Sequence, residues 1–210
     1  MARLISVNVG RPREISARRG QPLMSAIFKE PVEGRVRVAG VNLAGDDQAD
    51  RSVHGGPDRA LYAYAAEDLE WWADQLGRPI PAGMMGENLT TADVDVTNAV
   101  IGERWRIGSV LLEVTAPRVP CFKLGIKMGD GRFPIRFAAA GRPGAYLRII
   151  EHGELGASDD ITVADVPDHD VTVALVAHAF HDDHSLAAKL LTAPALGAGW
   201  PDWARRQLAA

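Results

Sequence analysis

The sequence predicts a mostly β fold of the α+β class: a β-barrel-like core with a few short helices and a small C-terminal helical module. Three observations carry this. Short segments of alternating apolar residues, punctuated by glycine and proline, run through the first 165 residues. One amphipathic helical stripe interrupts them, and after about residue 167 the period changes from that of strands to that of helices. The expected division is residues 1–165 for the barrel-like domain and 166–210 for a three-helix module.

Residues 3–9 alternate so as to put Ile5, Val7 and Val9 on one face, and residues 34–38 repeat the period of two. In residues 67–76, Leu69, Trp72, Ala73 and Leu76 form a single helical stripe that Gly77 ends. Residues 104–107 and 110–115 flank Gly108-Ser109, a Gly-X hairpin turn. A shorter helix is expected over 134–140, stopped by Gly141 and Pro143, and residues 145–150 and 160–163 add two strands. Further on, Asp170 can cap a helix carrying Val171, Leu175 and His178 on one side. A second helix follows around 185–191, and Pro201 opens a third over 202–208.

The chain has 210 residues, 47% of them apolar, which allows one sizeable core. No apolar run approaches the roughly 18 residues of a membrane span, and the N-terminus lacks a signal-peptide pattern, so no membrane partner and a cytoplasmic location are expected. One cysteine cannot form an internal disulfide. A net charge of −4 argues against a nucleic-acid partner, which would need a basic footprint. The average hides an asymmetry: between Arg118 and Arg148 there are seven cations against one acid, Asp130. That stretch suits an anionic ligand, although a solvated basic face gives the same letters.

The lone cysteine, Cys121, falls inside this stretch, in Pro117-Arg-Val-Pro-Cys-Phe-Lys-Leu124. Pro117 and Pro120 fix two φ angles and stiffen the segment, while Arg118 and Lys123 can stabilise a thiolate. Two fates are open for it, a small buried hydrophobe or a ligand or nucleophile. His54-Gly-Gly-Pro-Asp-Arg59 can form an anion-binding nest from Gly55 and Gly56, with His54 and Arg59 as donors, or a tight turn before a strand. Glu87 and Asn88, in Gly86-Glu-Asn-Leu-Thr-Thr91, can hold a ligand heterocycle or the loop's own backbone. His178, His181 and His184 allow a zinc site, but a spacing of six matches helical periodicity poorly, and solvated histidines at a helix end are the better reading.

Taken in order, Asp50-Arg-Ser-Val-His-Gly-Gly-Pro-Asp-Arg59, Gly86-Glu-Asn-Leu-Thr-Thr91, Ile101-Gly-Glu-Arg-Trp-Arg-Ile-Gly108 and the Cys121 segment resemble the MOSC family, named after the C-terminus of molybdenum-cofactor sulfurase. The chain most resembles its small bacterial members linked to hydroxylaminopurine resistance, whose extra C-terminal domain the three-helix tail also resembles. The resemblance implies a β-barrel-rich fold that binds a molybdopterin-type molybdenum cofactor, with Cys121 as the metal ligand and the loops of Gly55, Gly56 and Arg59 and of Glu87 and Asn88 flanking it. Arg118 lies within the matched motif. Electrostatics assigns Lys123, Arg132, Arg136 and Arg142 to the pterin or its phosphate.

The expected activity is reduction of small N-hydroxylated compounds such as hydroxylaminopurines, hydroxylamines and amidoximes, with Cys121 and His54 as the catalytic pair and His54 as proton donor. The electrons must come from an external reductase, because one cysteine cannot hold an iron–sulfur cluster. The alternative is a carrier of molybdenum cofactor or sulfur that does not turn over. The sequence leaves the oligomeric state open, a homodimer included.

Overall fold

The computed structural model describes residues 1–18, 21–48 and 55–209. The first half holds β1 (Arg3–Val9), β2 (Arg13–Arg18), β3 (Gln21–Ser25), β4 (Glu30–Val32), β5 (Arg35–Ala39), β6 (Asn42–Leu43), β7 (Leu61–Ala65), α1 (Ala66–Leu76) and β8 (Leu89–Ala92). There follow β9 (Arg104–Ile107), β10 (Val110–Pro117), α2 (Phe122–Met128), α3 (Phe133–Ala139), β11 (Ala145–Glu151), β12 (Gly153–Gly156) and β13 (Ile161–Asp165). The chain closes with α4 (Val173–His181), α5 (Ala187–Leu190) and α6 (Trp200–Leu208). None of these helices is long and apolar enough to cross a membrane.

Eight strands form the main sheet in the order β13-β9-β10-β11-β7-β8-β1-β4; β12, β5 and β6 form a second sheet, and β2 with β3 a separate hairpin. Pairing in the main sheet is antiparallel except for β7 with β8, which α1 connects as a crossover. The expected barrel is not closed strand to strand. The sheet curls far enough for the start of β1 to meet the segment ahead of β13, through an isolated bridge between Arg3 and Asp160 and a hydrogen bond from the Leu4 N–H to the Asp159 carbonyl. The fold is therefore a mixed α+β structure around a large curled sheet.

The hairpin at Gly108-Ser109 forms as expected, Val110 facing Ile107 across it. In α1, Leu69 and Trp72 are buried and Gly77 closes the helix in the left-handed region, its N–H bonded to the Ala73 carbonyl. Alternation along β1 is not the simple one expected. Leu4 is buried while Ile5 is exposed, because the pairing with β8 shifts register between Leu4 and Ser6 and turns the strand. Thr172, not Asp170, caps α4, accepting from the Leu175 N–H at 3.1 Å, and Asp170 pairs with Lys189 at 2.5 Å. The segment after Pro120, expected only to be stiff, turns into α2 directly at Cys121.

β7 separates two apolar clusters. Leu61, Ala63 and Ala65 face a core with Trp105, Ile107, Leu112 and Leu147, whereas Tyr62 and Tyr64 face a second cluster with Trp72, Leu124, Phe133 and Phe137. The C-terminal helices pack into the first cluster through Val173, Val176, Leu190 and Trp200. The second cluster, built of β7, α1, α2 and α3, backs the candidate site.

Candidate functional site

A cavity of about 110 Å³ opens beside Tyr62, and five segments distant in sequence wall it. Ser25 ends β3 and Ala26, Ile27 and Lys29 follow it, Asp46 to Gln48 follow β6, Arg59 precedes β7, Gly86 and Asn88 precede β8, and Arg118, Cys121 and Lys123 follow β10; Tyr62 and Tyr146 supply aromatic wall from the sheet. Cys121 is partly buried and stands in extended conformation (φ −122°) as the residue that caps α2. The strand end and the two prolines fix its backbone, so the thiol lines the cavity without depending on a flexible loop.

Arg118 is the site's most deeply held cation, with 7% of its surface exposed. Its guanidinium donates to the Met85 carbonyl and lies 5.0 Å from the centre of the Tyr62 ring. Burial works against its charge, but the oxygens of Tyr62 and Tyr146 and the sulfur of Cys121 outweigh it and raise its pKa further. Tyr62 donates its hydroxyl to the Pro143 carbonyl at 2.7 Å, and burial pushes that phenol far above its ordinary value. Arg59 lies 5.8 Å from the Tyr146 ring centre, and Lys123 reaches the Met24 carbonyl at 3.4 Å.

Opposite stands a buried ion pair absent from the sequence reading. Asp46 accepts from Lys29 Nζ at 2.5 Å, from the Gly10 N–H at 2.7 Å and from Asn88 Nδ2 at 2.9 Å. Burial lowers the Lys29 pKa, against the attraction of Asp46. Asn88 is committed on its other side as well, its Oδ1 accepting from the Tyr62 N–H at 3.2 Å, so its amide shapes the wall. Glu87 is fully buried behind the cavity, where Oε1 accepts from the Gly83 N–H at 2.6 Å and from the Thr90 hydroxyl at 3.1 Å. Its other oxygen has no partner, and burial raises its pKa. Nearby, Lys127 donates to the carbonyls of Ile27 and Gly83; burial is the main cause that brings it down to about 7.

Of the residues singled out in the sequence, Cys121, Arg118, Lys123, Arg59 and Asn88 thus meet at one cavity. Gly55, Gly56 and Glu87 flank it without lining it. The basic stretch does not form one face, because its arginines take different partners once α2 and α3 turn the chain. Arg142 pairs with buried Asp68 and stacks 4.8 Å from the Trp71 ring, on the far side of the second cluster. Arg136 pairs with Asp130 at 3.3 Å on the surface, and Arg132, also exposed, bonds Asp130 through its backbone. Arg148 is spent on Asp58 and Glu113. Arg132, Arg136 and Arg142, expected to hold the pterin or its phosphate, therefore do not line the Cys121 cavity. His54 lies outside the described residues.

The three histidines near the C-terminus are engaged separately: His178 with Asp182 at 3.1 Å, His181 against Phe180, and His184 with the Phe180 carbonyl and the Trp203 ring. Among the described residues no group of three His, Cys, Asp or Glu side chains could hold a metal ion. The cavity offers one soft sulfur, with Arg118, Lys123, Arg59 and Lys29 on its wall and the carboxylates of Asp46 and Asp47 facing them. Such a lining could hold a metal whose other ligands came with an anionic cofactor; Cys121 would then be the protein ligand, with Arg118, Lys123 and Arg59 available as counter-charges.

The segment leaving β10, the longest strand of the curled sheet, thus brings a thiol near a buried guanidinium. The family model described as MOSC domain matches residues 50–162, and the chain belongs to that family. It is 31% identical over 200 residues to the protein YflK of Bacillus subtilis, covering 94% of this chain and 90% of that one. It is 33% identical over 168 residues to a reductase of Gibberella moniliformis, covering 78% of this chain but 29% of that protein. The crystal structure of YiiM from Geobacillus stearothermophilus superposes with a TM-score of 0.81 at 26% identity, covering 99% of this chain and 100% of that one.

Proposed function

We propose that the chain binds a molybdopterin-type molybdenum cofactor at the Cys121 cavity and reduces small N-hydroxylated compounds there with electrons from an external reductase. The observation that carries this reading is the meeting of Cys121, Arg118 and Lys123 at one cavity, a soft ligand and fixed positive charge brought together from one strand end. Membership of the MOSC family and the similarity to a protein described as a reductase support it.

When bound, such a cofactor supplies two-electron chemistry at an N–O bond. The protein's own part is to present the sulfur from a rigid strand end, to hold an anion against Arg118 and Lys123, and to keep Tyr62 and Tyr146 as an apolar wall. With about 110 Å³ enclosed, the cavity admits a small reacting group, and larger parts of any ligand lie in its open mouth. Cytoplasmic location and the absence of nucleic-acid and membrane partners belong to the same proposal.

The test is expression in a cofactor-competent host, molybdenum analysis, and turnover of hydroxylaminopurine with dithionite as electron donor. The expected result is near-stoichiometric molybdenum and turnover, both lost in Cys121→Ala. Molybdenum without turnover identifies a carrier, and a Cys121→Ala variant that keeps its molybdenum overturns the ligand assignment.

A further inference from the structure

The proposed reaction has a proton balance that Cys121 and the cofactor do not meet. Reductive cleavage of the N–O bond in a hydroxylamine takes up two electrons and two protons and yields the amine and water. One proton goes to the departing oxygen and one to nitrogen. The two electrons come from a one-electron donor such as dithionite or a flavin-dependent reductase.

The groups lining the cavity differ in what they can give. Tyr62 commits its hydroxyl proton to the Pro143 carbonyl. Asp46 accepts three hydrogen bonds and donates none in them. The guanidiniums of Arg59 and Arg118 hold their protons at any working pH. Of the two lysines on the wall, Lys123 reaches the Met24 carbonyl at 3.4 Å, whereas Lys29 is held tightly in a buried ion pair. It lines the cavity, its side chain is 9% exposed, and Asp46 fixes its ammonium at 2.5 Å. It is also set by backbone packing, since any Cβ on Gly83 would meet the Lys29 carbonyl at 2.6 Å.

Resting on the proposed reductase reading, we infer that Lys29, oriented by Asp46, is the proton donor of this site, the role the sequence reading gave to His54. The charges that face Lys29 are Asp46, Glu87 and Arg118, with Lys127 behind and Arg59, Lys123 and Asp47 around the cavity. Burial and Arg118 loosen its proton while Asp46 and Glu87 hold it, and the net direction is a lowered pKa. Asp46 then stabilises the return of a proton from solvent.

The experiment compares wild type with Lys29→Ala and with the double variant Lys29→Met/Asp46→Asn, which leaves no unpaired carboxylate if the single variant folds poorly. Expected in both is unchanged molybdenum content and a fall in kcat of about 10²–10⁴-fold with KM changed far less. In Lys29→Ala, added ammonium or methylamine restores turnover in proportion to concentration, which a purely structural lysine does not allow. Independently of activity, ¹H–¹⁵N spectra of lysine-labelled protein made without molybdenum show at pH 7 a slowly exchanging ammonium signal that Lys29→Met removes. Wild-type turnover with Lys29→Ala within threefold of it, a loss without amine rescue, a loss carried by Tyr146→Phe instead, or no such ammonium signal each overturns the assignment while leaving the reductase reading standing. A wild type with neither molybdenum nor N–O reduction overturns both.

Discussion

Arg118 holds its guanidinium 5.0 Å from the Tyr62 ring centre, so a strand of the central sheet carries the aromatic face on which the cavity's buried cation rests. The contact ties the segment that leaves β10 to β7, and Phe137 of α3 adds a second ring at 5.9 Å from the same cation. Two aromatic rings and a backbone carbonyl thus fix the guanidinium through protein contacts, which is the condition for a preorganised anion site.

Alkylation of Cys121 tests that field. The anionic reagent iodoacetate is expected to react faster, relative to neutral iodoacetamide, than it does with a free thiol, because Arg118 and Lys123 attract it. Each neighbouring cation contributes on the order of 1 kcal/mol, or several-fold in rate. Arg118→Met lowers the ratio several-fold; an unchanged ratio means that the guanidinium does not act on the thiol.

Asp58 links the C-terminal helices to the loop that carries Arg59. It accepts from Arg148 at 2.7 Å and from the Ala198 N–H at 2.6 Å, while its carbonyl receives the Thr115 hydroxyl at 2.6 Å. Burial raises its pKa, but the Ala198 N–H, Arg148 and Arg59 outweigh that and depress it. A depressed carboxylate stabilises the fold above its unfolded value near 3.8, and the contribution is lost as pH falls through the lower folded value. Asp58→Ala is expected to cost about 2 kcal/mol at pH 7, from lost charge-assisted bonds, and to make acid unfolding shallower. Denaturant titrations at pH 7 and pH 3 measure both effects.

The elements that were legible in the sequence are those whose pattern is local. The stripe of Leu69, Trp72 and Leu76 and the stop at Gly77 need no tertiary knowledge, nor does the Gly108-Ser109 hairpin. What was not legible depends on partners far along the chain. Arg142 could not be separated from Arg118 by charge alone, because its acid, Asp68, lies 74 residues earlier. Lys29 and Asp46 sit in no motif and become a pair only when Gly10 and Asn88 converge on the same carboxylate. The Cys121 motif was readable because its prolines and neighbouring cations are contiguous, and the sheet then supplied the remaining walls.

Lys127 predicts an alkaline stability slope. Its folded pKa, about 7, lies below the usual lysine value of 10.5, first through burial and then through repulsion from Arg118, Lys29 and Arg13, with Glu87 opposing. Between those two values the unfolded chain binds more protons than the folded one, so stability rises with pH across the window. Lys29 is shifted in the same direction, whereas raised Glu87 gives the opposite slope in a window that begins near pH 4.5. The unfolding midpoint of wild type should therefore climb from pH 7 toward pH 10, and that of Lys127→Met should climb visibly less. Parallel curves for the two proteins would mean that Lys127 titrates as an exposed lysine.

Gly144 places the wall that holds Tyr62, and replacing it separates steric from conformational cost. Its φ is +64°, and a Cβ there would stand 2.6 Å from the Ala63 carbonyl oxygen and 2.7 Å from the Tyr62 hydroxyl. The first contact is with backbone of β7 and cannot be relieved by a side-chain rotation; the second pushes the ring on which Arg118 rests. Gly77, with φ +61°, has nothing within 4 Å of the same position, so Gly77→Ala bears the left-handed conformation alone. That conformation costs about 1–2 kcal/mol, and overpacking adds roughly 1–3 kcal/mol. Gly144→Ala is therefore expected to lose more stability than Gly77→Ala by the overpacking amount. It should also lower the iodoacetate preference of Cys121, which Gly77→Ala leaves unchanged, because only the first displaces Tyr62 from beneath Arg118. Equal losses in the two variants, read from urea titrations, would show that β7 and β11 can part at this point without disturbing the cavity.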